Sequence, residues 1–262
     1  MGLAALLAAA TLAVTPVQFV QAHTDAGAYA EPGGRPDALL TSWAVLGLRA
    51  SRSDAPGSLA YLQSQEATLR STTDVSLVAL AEQSLGATPT ALLDRLRAAR
   101  RTSGQIGEGV NSTCWAVLAL GRSTAATTRW LLARQSRSGG WSWAVGGQPD
   151  SNDTAAALEA LRVAGARGAP VARAVRYLLS FQNRDGGFEL TNGRGSDAQS
   201  TAWAIQGLVA AGRTPPGTAF AYLARLKRAD GSYRYSTRYL TTPVWVTSQV
   251  LAALAKKPFP FD

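Results

Sequence analysis

The chain holds a single cysteine, Cys114, and a single histidine, His23, in 262 residues. One cysteine excludes an internal disulfide. With one histidine, a zinc site would rest almost wholly on carboxylates, so no metal is expected. A Ser-His-Asp triad would need His23, which lies among turn residues, and none is expected. Strand-like alternation of Val, Ile and Thr is missing, which points away from sheets. Acidic residues are few: 17 Asp and Glu against 26 Lys and Arg give a net charge of +9. The arginines are scattered, with no basic block interleaved with aromatics, so nucleic acid is not an expected partner. They read as a solvated outer surface. No motif calls for a cofactor.

Apolar residues, by contrast, make up 46% of the chain and charged ones only 16%. A chain of this size and composition buries a large core without covalent staples. Residues 2–13 are almost wholly small or apolar. That run is too short to span a bilayer and suits the apolar part of a signal peptide. Residues 1–13 are therefore expected to be a hydrophobic leader, and the protein to be secreted or held at the cell surface. Thr15-Pro16 looks like the start of a structural helix, which places the folded part at 14–262.

That part repeats. Six segments align on anchor positions Thr41, Val78, Thr113, Thr154, Thr201 and Thr247, each followed seven residues later by a leucine: Leu48, Leu85, Leu120, Leu161, Leu208 and Leu254. A period of this kind marks stacked supersecondary units. A second helix precedes each anchored one, with a proline near its start at Pro16, Pro56, Pro89, Pro170 and Pro215. Thr15, Thr88 and Thr214 are the expected N-caps of three of them. The preceding helices are one-sided: Val171, Val175, Leu178 and Leu179 form a stripe opposite Arg173 and Arg176. The anchored helices, such as residues 201–211, are apolar nearly all round and must be covered on both sides. The expected fold is all-α, a single closed α6/α6 toroid with six outer and six inner helices. Inner helices are expected to start near 37, 74, 111, 150, 197 and 242.

Glycine turns end the outer helices, most clearly in Gln182-Asn183-Arg184-Asp185-Gly186-Gly187-Phe188. This segment is similar to the glutamine–tryptophan motif of the prenyltransferase and squalene–hopene cyclase repeat superfamily. Gly139 to Ala155 resembles the stretch of squalene–hopene-type cyclases that carries Asp-x-Asp-Asp-Thr-Ala. Here it reads Asp150-Ser151-Asn152-Asp153-Thr154-Ala155, and Asn152 stands where the resemblance places the proton donor. An amide has no comparably acidic proton to give. The large cyclases of that superfamily also pair two helical barrels, and this chain has room for one. Prenyl transfer would need a zinc site of Asp, Cys and His. Gln199 stands where the cysteine of Ser196-Asp197-Ala198-Gln199 should be.

Aspartates lie four residues before four anchors: Asp37, Asp74, Asp150 and Asp197. They suit N-caps, and in a ring of parallel inner helices they would share one mouth. Trp43, Trp115 and Trp203 each follow their anchors by two residues, and Trp245 precedes its anchor by two. Such residues serve either helix packing or an aromatic cavity wall. The expected ligand site is thus Trp43, Asp74, Trp115, Asp150, Asn152, Asp153, Asp197, Trp203 and Trp245. The expected role is a non-catalytic toroid binding an apolar, isoprenoid-like small molecule or a cell-surface component. The alternatives are a terpenoid cyclase of the class II type acting through Asp150 or Asp153, and a structural surface module. The oligomeric state is left open.

Overall fold

The computed structural model describes residues 13–261, so the leader expected at 1–13 lies outside them but for Ala13. Twelve helices alternate along the described chain. The outer set is α1 (Pro16–Gln21), α3 (Ser58–Gln65), α5 (Thr90–Ala98), α7 (Ala125–Ala133), α9 (Ala169–Leu179) and α11 (Gly217–Leu226). The inner set is α2 (Ala38–Ala50), α4 (Thr72–Ser84), α6 (Val110–Leu120), α8 (Ser151–Val163), α10 (Ala198–Ala210) and α12 (Pro243–Leu254). A two-stranded hairpin, Thr24–Asp25 with Ala28–Tyr29, is the only sheet among the described residues. No described helix is long and apolar enough to cross a membrane.

The inner helices pack side by side in chain order, and α12 packs against α2 to close the ring. Two glycines permit close approach. A Cβ on Gly47 of α2 would lie 2.4 Å from the carbonyl oxygen of Ser248 on α12, and one on Gly207 of α10 would lie 2.8 Å from Ala155 of α8.

The anchor threonines have a definite task. Backbone N–H groups of Tyr29, Ile106, Trp141, Phe188 and Tyr233 donate to the hydroxyls of Thr41, Thr113, Thr154, Thr201 and Thr247 at 2.9–3.1 Å. Each bond satisfies a buried donor that would otherwise be orphaned. It also pins the turn of a repeat to its own inner helix. The turns then lock successive outer helices. Gln182 donates to the Gly186 carbonyl and to Thr218 Oγ1 of the next outer helix, both at 2.9 Å. Gly231, at φ +86°, lies against Thr15 at the start of α1, so the last turn meets the first repeat.

Inner helices are capped across repeats as well. The N-terminal N–H groups of α6, α8 and α10 donate to carbonyls of Trp143, Leu190 and Tyr235 in the following repeat. Thr72 of α4 donates to Glu108. At the seam, Val244 and Trp245 of α12 donate to the carboxylate of Glu31 in the first repeat, at 2.9 and 2.8 Å.

The helix starts differ from expectation at several points. Thr15 caps α1 with Pro16 following it, but Thr88 and Thr214 cap nothing; Pro89 and Pro216 hold those positions without a side-chain bond. Helix α7 has no proline and is capped by Thr124. The larger correction is in the second repeat. Its inner helix begins at Thr72, with Ser71 as N-cap. Helices α2, α6, α8 and α10 place the anchor at their fourth residue, which in α4 is Val75, not Val78. Leucines recur every three to four residues on a buried helix, so the leucine match slid by one turn. The residue seven beyond Val75 is Glu82, which is fully buried where three of the other repeats bury leucine.

Candidate functional site

With the second anchor corrected, a rule emerges. Residues two before each anchor form an upper layer: Leu39, Thr73, Asn111, Asn152, Gln199 and Trp245. Residues two after form a lower layer: Trp43, Leu77, Trp115, Ala156, Trp203 and Gln249. All twelve line one cavity of about 450 Å³ at the axis of the ring. The physical reason is that positions four apart share a helix face, here the face turned to the axis.

In the lower layer, tryptophans alternate with smaller residues. Trp43, Trp115 and Trp203 meet edge to face, with ring centroids 5.6–5.7 Å apart in all three pairs. This geometry suits the charge distribution of aromatic rings and seals the axis. The tryptophans therefore serve both readings at once: they pack against one another, and their upper surfaces are the bottom of the cavity. Trp245 leans on Trp43 at 5.9 Å.

The polar residues gather above. Asp150 is the N-cap of α8 and accepts from the N–H of Asp153 at 2.8 Å. Asn111 donates its amide to Asp153 Oδ1 at 2.8 Å, bridging α6 and α8. Asp153 is almost fully buried, and burial pushes its carboxyl up to about 8, with the neighbouring Asp150 adding to the effect against the Asn111 bond. The Asp150 carboxyl is also raised, chiefly by burial. Burial thus favours the neutral form of the Asp153 carboxyl.

Of the nine expected site residues, eight line this cavity: Trp43, Asp74, Trp115, Asp150, Asn152, Asp153, Trp203 and Trp245. Asp74 does so as the third residue of α4 rather than as its N-cap. Asp197 does not. It is buried at the N-cap of α10, bonded to Ser200, and faces a separate surface pocket beside Arg194, Tyr235 and Tyr239. Asp37 caps α2 and is exposed outside the cavity. Sequence reasoning missed Asn111, Gln199 and Gln249, although each stands two residues from a correctly placed anchor. It also missed Trp143, which reaches the mouth from the loop before α8 and is 62% exposed.

Below the tryptophans lie two further buried acids. Glu159 of α8 is fully buried and its carboxyl is pushed up to about 8 by burial, against an N–H bond from Phe259 and the charge of Arg162. Glu82 is pushed up to about 7 by burial and by Glu66 beside it. These raised acids are expected to contribute to the pH dependence of stability. In the unfolded chain they release their protons near pH 4 to 4.5, while the folded protein keeps them until about pH 7 to 8. The unfolded state therefore binds fewer protons in that window, and stability falls as pH rises through it. The melting temperature is expected to be highest on the acidic side and to decline from about pH 5 to pH 8. Glu82→Gln, which cannot ionise, should flatten that decline in thermal melts across the range. A decline as steep in the variant as in the wild type would exclude Glu82 as a source.

No family model matches the chain, and no curated protein is similar to it in sequence. Solved structures resemble it in fold. A protein from Actinoplanes superposes with a TM-score of 0.71 over 92% of this chain and 97% of its own, at 16% identity. A type II terpene cyclase from Scytonema, bound to geranylgeranyl dihydroxybenzoate, gives 0.68 over 92% and 94%, also at 16% identity. The fold is the terpenoid-cyclase-like α/α toroid. An ent-copalyl diphosphate synthase from Streptomyces platensis gives a TM-score of 0.60 at 22% identity, with 91% of this chain on 53% of that one. The Scytonema comparison corrects one expectation. That cyclase is matched along nearly its whole chain, so a single-barrel size does not set this toroid apart from cyclases.

Proposed function

We propose that this toroid binds an extended, isoprenoid-like ligand whose apolar chain lies on the tryptophans and whose polar end is neutral and oxygen-bearing. The observation that carries the reading is the polarity gradient of the cavity: three tryptophans below, and the buried, hydrogen-bonded Asp153 with Asn111 and Asn152 above. Aromatic walls supply large apolar contact at little entropic cost. A protonated carboxyl donates a hydrogen bond to an alcohol, ether or carbonyl oxygen. Among the described residues no cation lines the cavity, and Asp74 and Asp150 flank its polar end. A diphosphate head would meet carboxylates with nothing to neutralise it.

The test is a pair of titrations followed by tryptophan fluorescence. Farnesol is expected to quench saturably, and farnesyl diphosphate to bind at least tenfold more weakly. Equal affinity, or preference for the diphosphate, would contradict the polarity argument. A second reading, in which Asp153 protonates its ligand, is favoured by the burial that raises that carboxyl's hold on a proton. An acid with a raised pKa gives up that proton reluctantly, however, and an alkene needs a strong acid. Extraction of the same mixtures, and of one with squalene, followed by gas chromatography is expected to return uncyclised compound. A cyclic product would move the reading to catalysis.

A further inference from the structure

Beyond α12 the chain turns back, and residues 256–261 close the end of the ring opposite the mouth. Phe259 is the side chain this tail sends to the axis. It is 1% exposed, and its ring lies beneath the tryptophan layer, 6.0 Å from Trp43 and 6.2 Å from Trp115 between centroids. Its backbone is held by two polar side chains of α8. The Phe259 N–H donates to Glu159 Oε2 at 2.7 Å, and Arg162 donates to the carbonyls of Phe259 and Pro260 at 2.9 and 3.1 Å. A void of about 10 Å³ separates Phe259 from Gln206 and Gln249, and Trp43, Trp203 and Gln249 wall both this void and the ligand cavity above.

We propose that Phe259 props the tryptophan floor of the ligand site from below and so sets the length of the chain the site accepts. The inference rests on the binding reading above. Helix α8 works as a ruler. It carries Asp153 at the polar end and, six residues later, Glu159, which fixes Phe259. At 1.5 Å per residue the two marks are about 9 Å apart along one rigid helix. The two groups that hold the tail grip its backbone, so the size of residue 259 is free to vary while its height stays fixed. A smaller side chain merges the void with the cavity and lets the tryptophans settle downward. A larger one pushes them up.

The experiment measures equilibrium binding of geraniol, farnesol and geranylgeraniol by calorimetry to the full chain and to Phe259→Leu, Phe259→Ala and Phe259→Trp, with a thermal melt of each. The ratio of geranylgeraniol to farnesol affinity is expected to rise about tenfold in Phe259→Ala, the yield of roughly two further buried methylenes. Phe259→Leu should fall between, and Phe259→Trp should shift preference toward geraniol. If Phe259→Ala does not fold, the Leu and Trp forms still decide the order. Ratios unchanged across the folded variants would overturn the role of Phe259 while leaving the binding reading standing. Failure of every alcohol to bind the wild type would overturn both.

Discussion

Gly47→Val is expected to prevent the ring from closing and to leave the protein largely unfolded at 37 °C. Helix α2 belongs to the first repeat and α12 to the last, so their contact is the seam of the whole structure. At Gly47 the two backbones touch: a Cβ there would sit 2.4 Å from the Ser248 carbonyl oxygen and 3.0 Å from its Cα. Both obstacles are main chain, so no rotamer change relieves them. Overpacking in a well-filled core costs about 1–3 kcal/mol, and more where helices themselves must separate. Separation here also strains the bonds from Val244 and Trp245 to Glu31, which tie the same seam. A domain with a typical stability of roughly 5–15 kcal/mol has little room for the combined loss. Gly217→Ala is the control, because nothing lies within 4 Å of its added methyl. Circular dichroism melts should show the control near wild type and Gly47→Val with no cooperative transition. A cooperative melt of Gly47→Val close to wild type would mean that the seam does not hold the fold.

The second large effect is expected for Trp203→Ala. Trp203 touches both other axial tryptophans and is 9% exposed. Its truncation removes a third of the cavity bottom and opens the sealed axis. The stability loss should be about 3–5 kcal/mol, the usual cost of truncating a buried large aromatic. Farnesol binding should weaken by at least a hundredfold, because the ligand loses its flattest contact and water enters beneath it. Trp203→Phe separates the two effects by restoring most of the packing. If Trp203→Phe binds like the wild type while Trp203→Ala does not, the wall function holds. Equal farnesol affinity in all three would remove the tryptophans from the site.

Much of this architecture was legible in the sequence because a repeat states its own rules six times. The anchor threonines were visible as a pattern before their bonds were known, and the pattern followed from those bonds: each hydroxyl accepts a turn N–H. The second repeat broke the pattern because it has no hydroxyl at its anchor. The leucine period then offers a false register one turn away, in which Asp74 falls at the cap position that Ser71 in fact fills. That error hid the layer rule by which twelve of the lining residues stand two positions from an anchor. Asp197 was misjudged for a different reason. A cap aspartate bonds to its own helix end, and its offset does not determine which side of the rim it faces. Phe259 was out of reach altogether. It lies outside the repeat, and only the folded path of the tail brings it to the axis. The raised acids are likewise tertiary effects: Asp153 and Glu159 gain their character from burial that no local pattern announces.

The most direct test of the central claim is native mass spectrometry of the protein purified without detergent from the organism that makes it. The account predicts a bound species of uncharged, isoprenoid-like mass at one per chain, lost from Trp203→Ala and retained by Trp203→Phe. A wild-type protein that stays bare in this measurement and takes up no farnesol afterwards would contradict it.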